Sequence, residues 1–103
     1  MKTIKLFLEY KCFPIWEYDE NKNLINNDSP DRLRENKDID DKLVEIQEKY
    51  DNLFVDNGVE FKYIGFDTDA EKLEFEKEIE NIYLKISHFI RNSHHVENCI
   101  ELD

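Results

Sequence analysis

The side chains best suited to chemistry in this 103-residue chain are a few histidines and cysteines near its carboxyl end. The group that most resembles a metal site comprises His88, His94, His95 and Cys99. Structural zinc sites normally show two closely spaced pairs of ligands, and this spacing fits no such pattern. A polar helix end followed by a polar tail is the favoured interpretation. We therefore predict no metal site and no cofactor.

Nucleophilic catalysis has no better support in the sequence. The serines Ser29, Ser87 and Ser93 lack the Gly-x-Ser-x-Gly elbow, and neither Cys12 nor Cys99 has a recognisable catalytic sequence around it. The two glycines are isolated and cannot build a phosphate-binding loop. In a reducing compartment the two cysteines are read as free thiols rather than a disulfide. The chain is predicted not to be an enzyme.

Charge is the most informative property of the composition. Twenty-five Asp and Glu residues face fourteen Lys and Arg, which gives a formal net charge of −11. A negative field of this size repels nucleic acid and anionic membranes and attracts basic proteins. We predict a basic protein partner, with no binding to nucleic acid or membrane. The alternative is that the charge only keeps the surface solvated.

Length and composition favour one domain over residues 1–103. The hydrophobic content of 40% is enough for a core despite the high charge. The amino-terminal stretch lacks the long apolar region of a secretory signal, and no apolar run reaches the roughly 18 residues of a membrane-spanning helix. We expect a cytoplasmic protein.

The first third of the sequence predicts strands. Residues 3–10 alternate between apolar and polar types, as expected of a strand with one buried face. A second apolar and aromatic run covers residues 13–18, in which Pro14 indicates an edge strand. The polar, Asn-containing segment after it can close a hairpin between residues 15–18 and 24–26. The region is therefore predicted to form a small antiparallel sheet.

The middle of the sequence predicts helices. Ser29 is expected to cap a short helical turn with Pro30 at its first position. A longer amphipathic helix is predicted over residues 39–54, capped by Asp38 and ended by the Asp-Asn-Gly sequence at 56–58.

A further strand is predicted over residues 59–66, followed by a second long helix. Thr68 and Glu71 have the spacing of a capping box, and the helix is expected to reach about Arg91. The tail at 93–103 is expected to add a short strand or to be loosely ordered. The predicted fold is α+β, with a small antiparallel sheet packed against two amphipathic helices.

Two groups of residues are candidates for partner binding. On the first long helix, Asp41, Glu45 and Glu48 fall opposite the apolar stripe. Near the hairpin, aromatic residues of the kinds enriched in binding hot spots adjoin further acids, and the sequence leaves open whether they are exposed or in the core. The predicted partner-binding residues are Trp16, Tyr18, Asp19, Glu20, Asp38, Asp41, Glu45 and Glu48.

Three stretches carry a resemblance to a known family. They are residues 16–21 running into 24–25, residues 45–54, and residues 60–63 followed by an acidic helix. Over about residues 3–90 the chain resembles a small immunity protein of bacterial contact-dependent growth inhibition or another polymorphic toxin system. It departs from the expected hairpin at Lys22, where glycine would be usual.

The resemblance implies a protein that binds the toxic carboxy-terminal domain of an effector, often a nuclease, and neutralises it inside the producing cell. It carries over no catalytic residues. The predicted mechanism is docking of the helix acids onto Lys and Arg of the toxin's substrate cleft, with Trp16 or Tyr18 as an anchor. The rival interpretations are a phage-encoded DNA mimic that blocks a host defence nuclease, a small acidic interaction module without inhibitory role, and a small enzyme.

Overall fold

The computed structural model describes residues 1–102, which form six strands and three helices. In chain order these are β1 (Lys2–Leu6), β2 (Ile15–Tyr18), β3 (Leu24–Asn26), α1 (Asp31–Arg34), α2 (Lys37–Asp51), β4 (Phe54–Asp56), β5 (Phe61–Tyr63), α3 (Asp69–Ile90) and β6 (His94–Asn98).

Four of the strands form one sheet in the order β3-β2-β1-β6, and β4 and β5 form a separate antiparallel pair. β2 is antiparallel to both β1 and β3, whereas β6 is parallel to β1. The predicted α+β class and the predicted strand in the tail are both confirmed. The sheet is mixed rather than wholly antiparallel because α3 returns the chain to the starting end of β1 before β6 begins.

One face of the sheet and the helices share the hydrophobic core. Ile4 and Leu6 of β1 and Ile15 of β2 are at most 1% exposed, and the core continues into Leu43 of α2 and Ile86 of α3, both 0% exposed. Each fully buried aliphatic side chain of this kind contributes about 1.5–3 kcal/mol relative to exposure. The helices therefore cover one face of the sheet and leave the other face without a helix.

The β2–β3 hairpin is confirmed at residues 15–18 and 24–26. Lys22 in its turn has a φ of 67°, in the left-handed region where glycine is usual. The Asp19 carboxylate holds this turn, because its Oδ1 accepts hydrogen bonds from the backbone N–H groups of Asn21 and Asn23, each at 2.9 Å.

Two strand predictions are wrong in detail. β2 is not an edge strand, because it lies between β3 and β1. Pro14 precedes the strand, so its missing N–H costs the ladder nothing, and its carbonyl accepts a hydrogen bond from Phe7 N–H at 3.1 Å. The strand predicted over residues 3–10 ends at Leu6, and the chain then turns at Lys11, whose φ is 61°.

The boundaries of the first long helix also differ from the prediction. Asn36, not Asp38, caps α2, since its side chain accepts a hydrogen bond from Ile39 N–H at 3.2 Å. The helix ends at Asp51, and Phe54 begins a strand instead of the last helical turn. The predicted helix stop at 56–58 is in fact where β4 ends and turns toward β5.

Of the predictions for the starts of the two remaining helices, one is wrong and the other is confirmed. Ser29 does not cap α1: the cap position is Pro30, which has no side-chain cap bond, and Ser29 itself is buried. The predicted start of α3 is confirmed, because Thr68 Oγ1 accepts a hydrogen bond from Glu71 N–H at 3.1 Å. α3 ends at Ile90, close to the predicted Arg91, and the strand predicted over 59–66 shortens to β5.

Candidate functional site

The predicted helix acids all lie on the exposed side of α2. Asp38, Asp41, Glu45 and Glu48 are each exposed, whereas the buried residues of α2 lie on its other side. At 100° per residue the four carboxylates fall within a sector of about 80°. We call this group the α2 acidic surface. The structure therefore brings these four predicted residues together.

Glu45 is the most strongly neutralised member of the α2 acidic surface. Its Oε1 lies 3.1 Å from Lys49 Nζ and 3.5 Å from Lys42 Nζ. Both lysines also bind Glu78 of α3, at 2.7 Å from Lys49 and 3.2 Å from Lys42. The hydrogen bond from Lys49 and the charge of Lys42 lower the pKa of Glu45. The hydrogen bond to Glu78 raises the pKa of Lys49 above its usual value.

The other members of the α2 acidic surface keep more of their charge available. Asp41 has one exposed partner, Lys37, at 3.6 Å, and such exposed pairs are largely screened by water. Within residues 1–102, neither Asp38 nor Glu48 takes part in an ion pair. These two carboxylates are the best placed to interact with an incoming cationic group.

The aromatic candidates lie on the face of the sheet that carries no helix. Along β2, Ile15 and Glu17 are buried on the core side, so Trp16 and Tyr18 alternate onto the other side, where both are partly exposed. Lys5 of β1 pairs with Trp16 in the strand register. The Nζ of Lys5 lies 4.7 Å from the centroid of the Tyr18 ring. The Trp16 and Tyr18 side chains therefore belong to a surface, not to the core.

A groove of about 500 Å³ runs along this open sheet face. It is lined by Lys5, Phe7, Glu9, Cys12, Trp16, Tyr18, Leu24 and Cys99. The indole Nε1 of Trp16 donates a hydrogen bond to Phe7 O at 3.0 Å, which fixes the ring against the groove wall. Both cysteines are free, as predicted.

The two predicted hairpin acids have different roles. Asp19 is occupied in holding the β2–β3 turn, a use that an aspartate at the start of a polar turn could have indicated. Glu20 is exposed at the tip of the same turn. The structure thus places the predicted residues in two groups, one on α2 and one on the open sheet face. Because α2 packs on the other side of the sheet, these two groups point in different directions.

The structure also exposes apolar residues that the sequence analysis did not nominate. Val59 is 96% exposed, Phe61 56%, Ile64 53% and Tyr63 40%. These four residues, the hairpin patch, belong to β5 and the segments flanking it. The signal for a hairpin was present in the sequence, since Asn57-Gly58 between apolar stretches is a strong turn indicator.

The histidines are dispersed rather than gathered. His94 Nε2 lies 3.0 Å from Glu17 Oε2, and both side chains are only 11% exposed. The other ring nitrogen of His94 contacts Ser93 Oγ at 2.8 Å. His95, next along the strand, is exposed. Residues 1–102 contain no group of three or more His, Cys, Asp or Glu side chains that could hold a metal ion.

The fold and its surfaces define a small acidic α+β protein in which two long helices cover one face of a mixed sheet. The model of the Serratia CdiI immunity protein-like family matches residues 2–99, nearly the whole chain. The chain therefore belongs to the Serratia CdiI immunity protein-like family, and the resemblance found in its sequence is confirmed. No curated protein matches the chain.

Family membership indicates an immunity protein directed against a protein toxin of a contact-dependent growth inhibition system. It suggests a non-catalytic inhibitor. Among the helices formed by residues 1–102, none is both long and apolar enough to cross a bilayer.

Proposed function

We propose that the protein neutralises the toxic carboxy-terminal domain of a contact-dependent growth inhibition effector, and that this domain is a basic nuclease. The inhibitor acts in the cytoplasm of the cell that makes the toxin. The observation that carries the proposal is the α2 acidic surface in a chain of this family with a formal charge of −11. A nuclease lines its substrate cleft with Lys and Arg to bind phosphates, so a carboxylate surface of this kind is complementary to it.

Docking begins with long-range attraction and ends with direct pairs. Complementary charge raises association rate constants to about 10⁸–10⁹ M⁻¹s⁻¹ at low salt. Asp38 and Glu48 lead the contact because they have no ion pair to give up within the described chain, and Asp41 has only an exposed one. Glu45 contributes less, since its carboxylate already binds two lysines. Binding in this way covers the toxin's active site or blocks the approach to it.

The open sheet face is the competing surface for the same partner. Trp16 and Tyr18 are partly exposed beside a groove, and Glu20 supplies an exposed carboxylate at its hairpin end. A single globular toxin domain would engage this face or the α2 acidic surface, because the two point in different directions. The charge of α2 favours the helix side.

Co-expression with the terminal domain of the effector encoded immediately upstream tests the function itself. We expect the two proteins to purify as a complex, the inhibitor to protect growing cells, and the toxin domain to degrade DNA or RNA only when the inhibitor is absent. A toxin domain that neither binds the chain nor is blocked by it would refute the proposal. A blocked toxin without nuclease activity would refute the nuclease assignment alone.

Charge reversal on α2 tests the mode of docking. The double variant Asp38→Lys with Glu48→Lys should lower the association rate constant about tenfold or more at low salt and reduce its salt dependence. Its matched control is Glu76→Lys with Glu80→Lys on α3, two exposed acids without an ion pair within residues 1–102, which gives the same change in formal charge. Equal losses in both would assign the effect to net charge. A loss confined to Tyr18→Ala would move the site to the open sheet face.

A further inference from the structure

The β4–β5 hairpin places an apolar tip in solvent and holds it in one conformation. Asn57 Oδ1 accepts hydrogen bonds from the backbone N–H groups of Val59 at 3.0 Å and Glu60 at 2.8 Å. Asn57 N–H in turn donates to Glu60 O at 3.2 Å, and Gly58 supplies the positive φ of 82° that the turn requires. An exposed valine fixed in this way costs little conformational entropy when it is buried by a partner.

The base of the hairpin is fixed as well. Phe54 of β4 packs against Tyr50 of α2 with ring centroids 5.2 Å apart, and against Tyr10 at 4.9 Å. Phe61 stacks on Phe54 at 5.4 Å while remaining 56% exposed. Leu53 O accepts hydrogen bonds from two backbone N–H groups in the residues that follow β5, at 2.7 and 3.1 Å. The aromatic rings thus anchor one side of the hairpin and leave its tip to contact another molecule.

We propose that the hairpin patch is a second contact surface for the toxin domain, which receives Val59 in an apolar depression bordered by basic residues. The inference rests on the proposed function and extends it. An apolar centre with a polar rim is the usual composition of a specific interface. Here the rim includes the exposed Asp56 and Glu60, and Glu60 pairs with the exposed Lys62 at 3.2 Å. Tyr50, in the last turn of α2, joins this hairpin to the end of the helix that carries Glu48.

Charge selects the toxin over a second copy of this chain as the occupant. In a two-fold symmetric dimer through the hairpin patch, the same surface would face itself, and its charged residues Asp56, Glu60 and Lys62 together carry a net negative charge. Two molecules of formal charge −11 would also repel as they approached. A basic partner removes this repulsion, and Asp56, which has no ion pair within residues 1–102, can then pair with one of its cations.

Val59→Ser tests this surface without disturbing the fold. Its side chain is 96% exposed, so thermal stability should be unchanged. With the toxin domain encoded upstream as the probe, we expect the dissociation constant to rise about tenfold through faster dissociation, with the association rate constant retained because no charge changes. Leu84→Ser on α3, at a leucine that is 54% exposed, is the matched control and should bind as the wild type does.

The possible results of this experiment distinguish the proposed function from the inference about the hairpin patch. A wild-type chain that fails to bind the toxin domain overturns the proposed function and this inference with it. Wild-type binding together with an affinity of Val59→Ser within twofold of it overturns the inference alone. If sedimentation shows that the wild-type chain is dimeric and Val59→Ser is monomeric, with toxin affinity unaltered, the hairpin patch is instead a contact between copies.

Discussion

Two regions of the molecule differ in how far their apolar side chains are buried. The first is the four-stranded sheet with its helices, and the second is the β4–β5 hairpin. In the first region Ile4, Ile15 and Leu43 are completely buried. In the second, every residue of β5 is exposed and Val59 at the turn is almost entirely in water. Stability is therefore concentrated in the first region, because burial of apolar surface drives folding. The hairpin tip can carry binding residues at little cost to the fold.

The largest effect in this comparison should come from His94→Ala. It removes the partner of Glu17, whose side chain is 11% exposed on the core side of the sheet. Leaving a buried carboxylate without its hydrogen-bond partner costs about 1–3 kcal/mol. The free energy of unfolding, measured with urea, should fall by about that amount. The adjacent His95→Ala, with a side chain that is 66% exposed, should change it by less than about 0.5 kcal/mol.

A second variant separates the unpaired carboxylate from lost packing. Replacing both Glu17 and His94 by leucine removes the polar pair and refills the space, so most of the stability should return. If the double variant is as unstable as His94→Ala, the pair matters through its shape rather than its charge. If His94→Ala and His95→Ala both lower the free energy of unfolding only slightly, the Glu17–His94 pair does not contribute to the stability that we assign to the sheet and helices.

The hairpin should respond less to a comparable loss. Phe61→Ala deletes a ring that stacks on Phe54 at 5.4 Å and lies 4.9 Å from Tyr10. Because the ring is more than half exposed, we expect a cost of about 0.5–1.5 kcal/mol, the range of an aromatic pair. Urea denaturation measures this loss in the free energy of unfolding, so that it can be compared directly with the loss in His94→Ala. A loss of about 3 kcal/mol or more would show that the hairpin is part of the stabilising core.

The two regions also differ in how far the sequence determined them. Alternation at the start of the chain and the Thr68–Glu71 spacing predicted β1 and α3 because each signal is local. Phe54 was assigned to a helix because it continues the apolar periodicity of α2. Its ring does contact Tyr50 of α2, but it also packs against Tyr10 and Phe61, and no pattern within one turn of α2 reports these two partners.

In the candidate site too, the sequence patterns predicted neighbours within one element but not contacts between elements. Periodicity placed the four carboxylates of the α2 acidic surface together, and the Glu45–Lys49 pair follows from their i,i+4 spacing. The link from Lys49 to Glu78 joins residues 29 apart in sequence, so only the packing of α2 on α3 reveals that the lysine beside Glu45 also binds a carboxylate of α3. The exposure of Trp16 and Tyr18, left open by the sequence, is decided by which face of the sheet the helices cover.

The smallest expected effect is the pH dependence of the ion pairs around Glu45. Its pKa is below the ordinary value of 4.5, so the folded state favours the carboxylate. The resulting stabilisation is present above pH 4.5 and is lost as the pH falls through the lowered pKa. Glu45→Gln should therefore be less stable than the wild type near neutral pH, by less than about 1 kcal/mol because the side chain is half exposed.

Urea titrations of Glu45→Gln and the wild type from about pH 7 to about pH 3 would measure this difference. The two stabilities should converge at the acid end, where the Glu45 carboxyl is protonated and no longer pairs with Lys49. Glu48→Gln, about one turn further along α2, should change the stability near neutral pH less than Glu45→Gln does, because Glu48 has no ion pair within residues 1–102. If both variants behave alike, Glu45 is as free as Glu48, and the α2 acidic surface contains one available carboxylate more than the ion pairs imply.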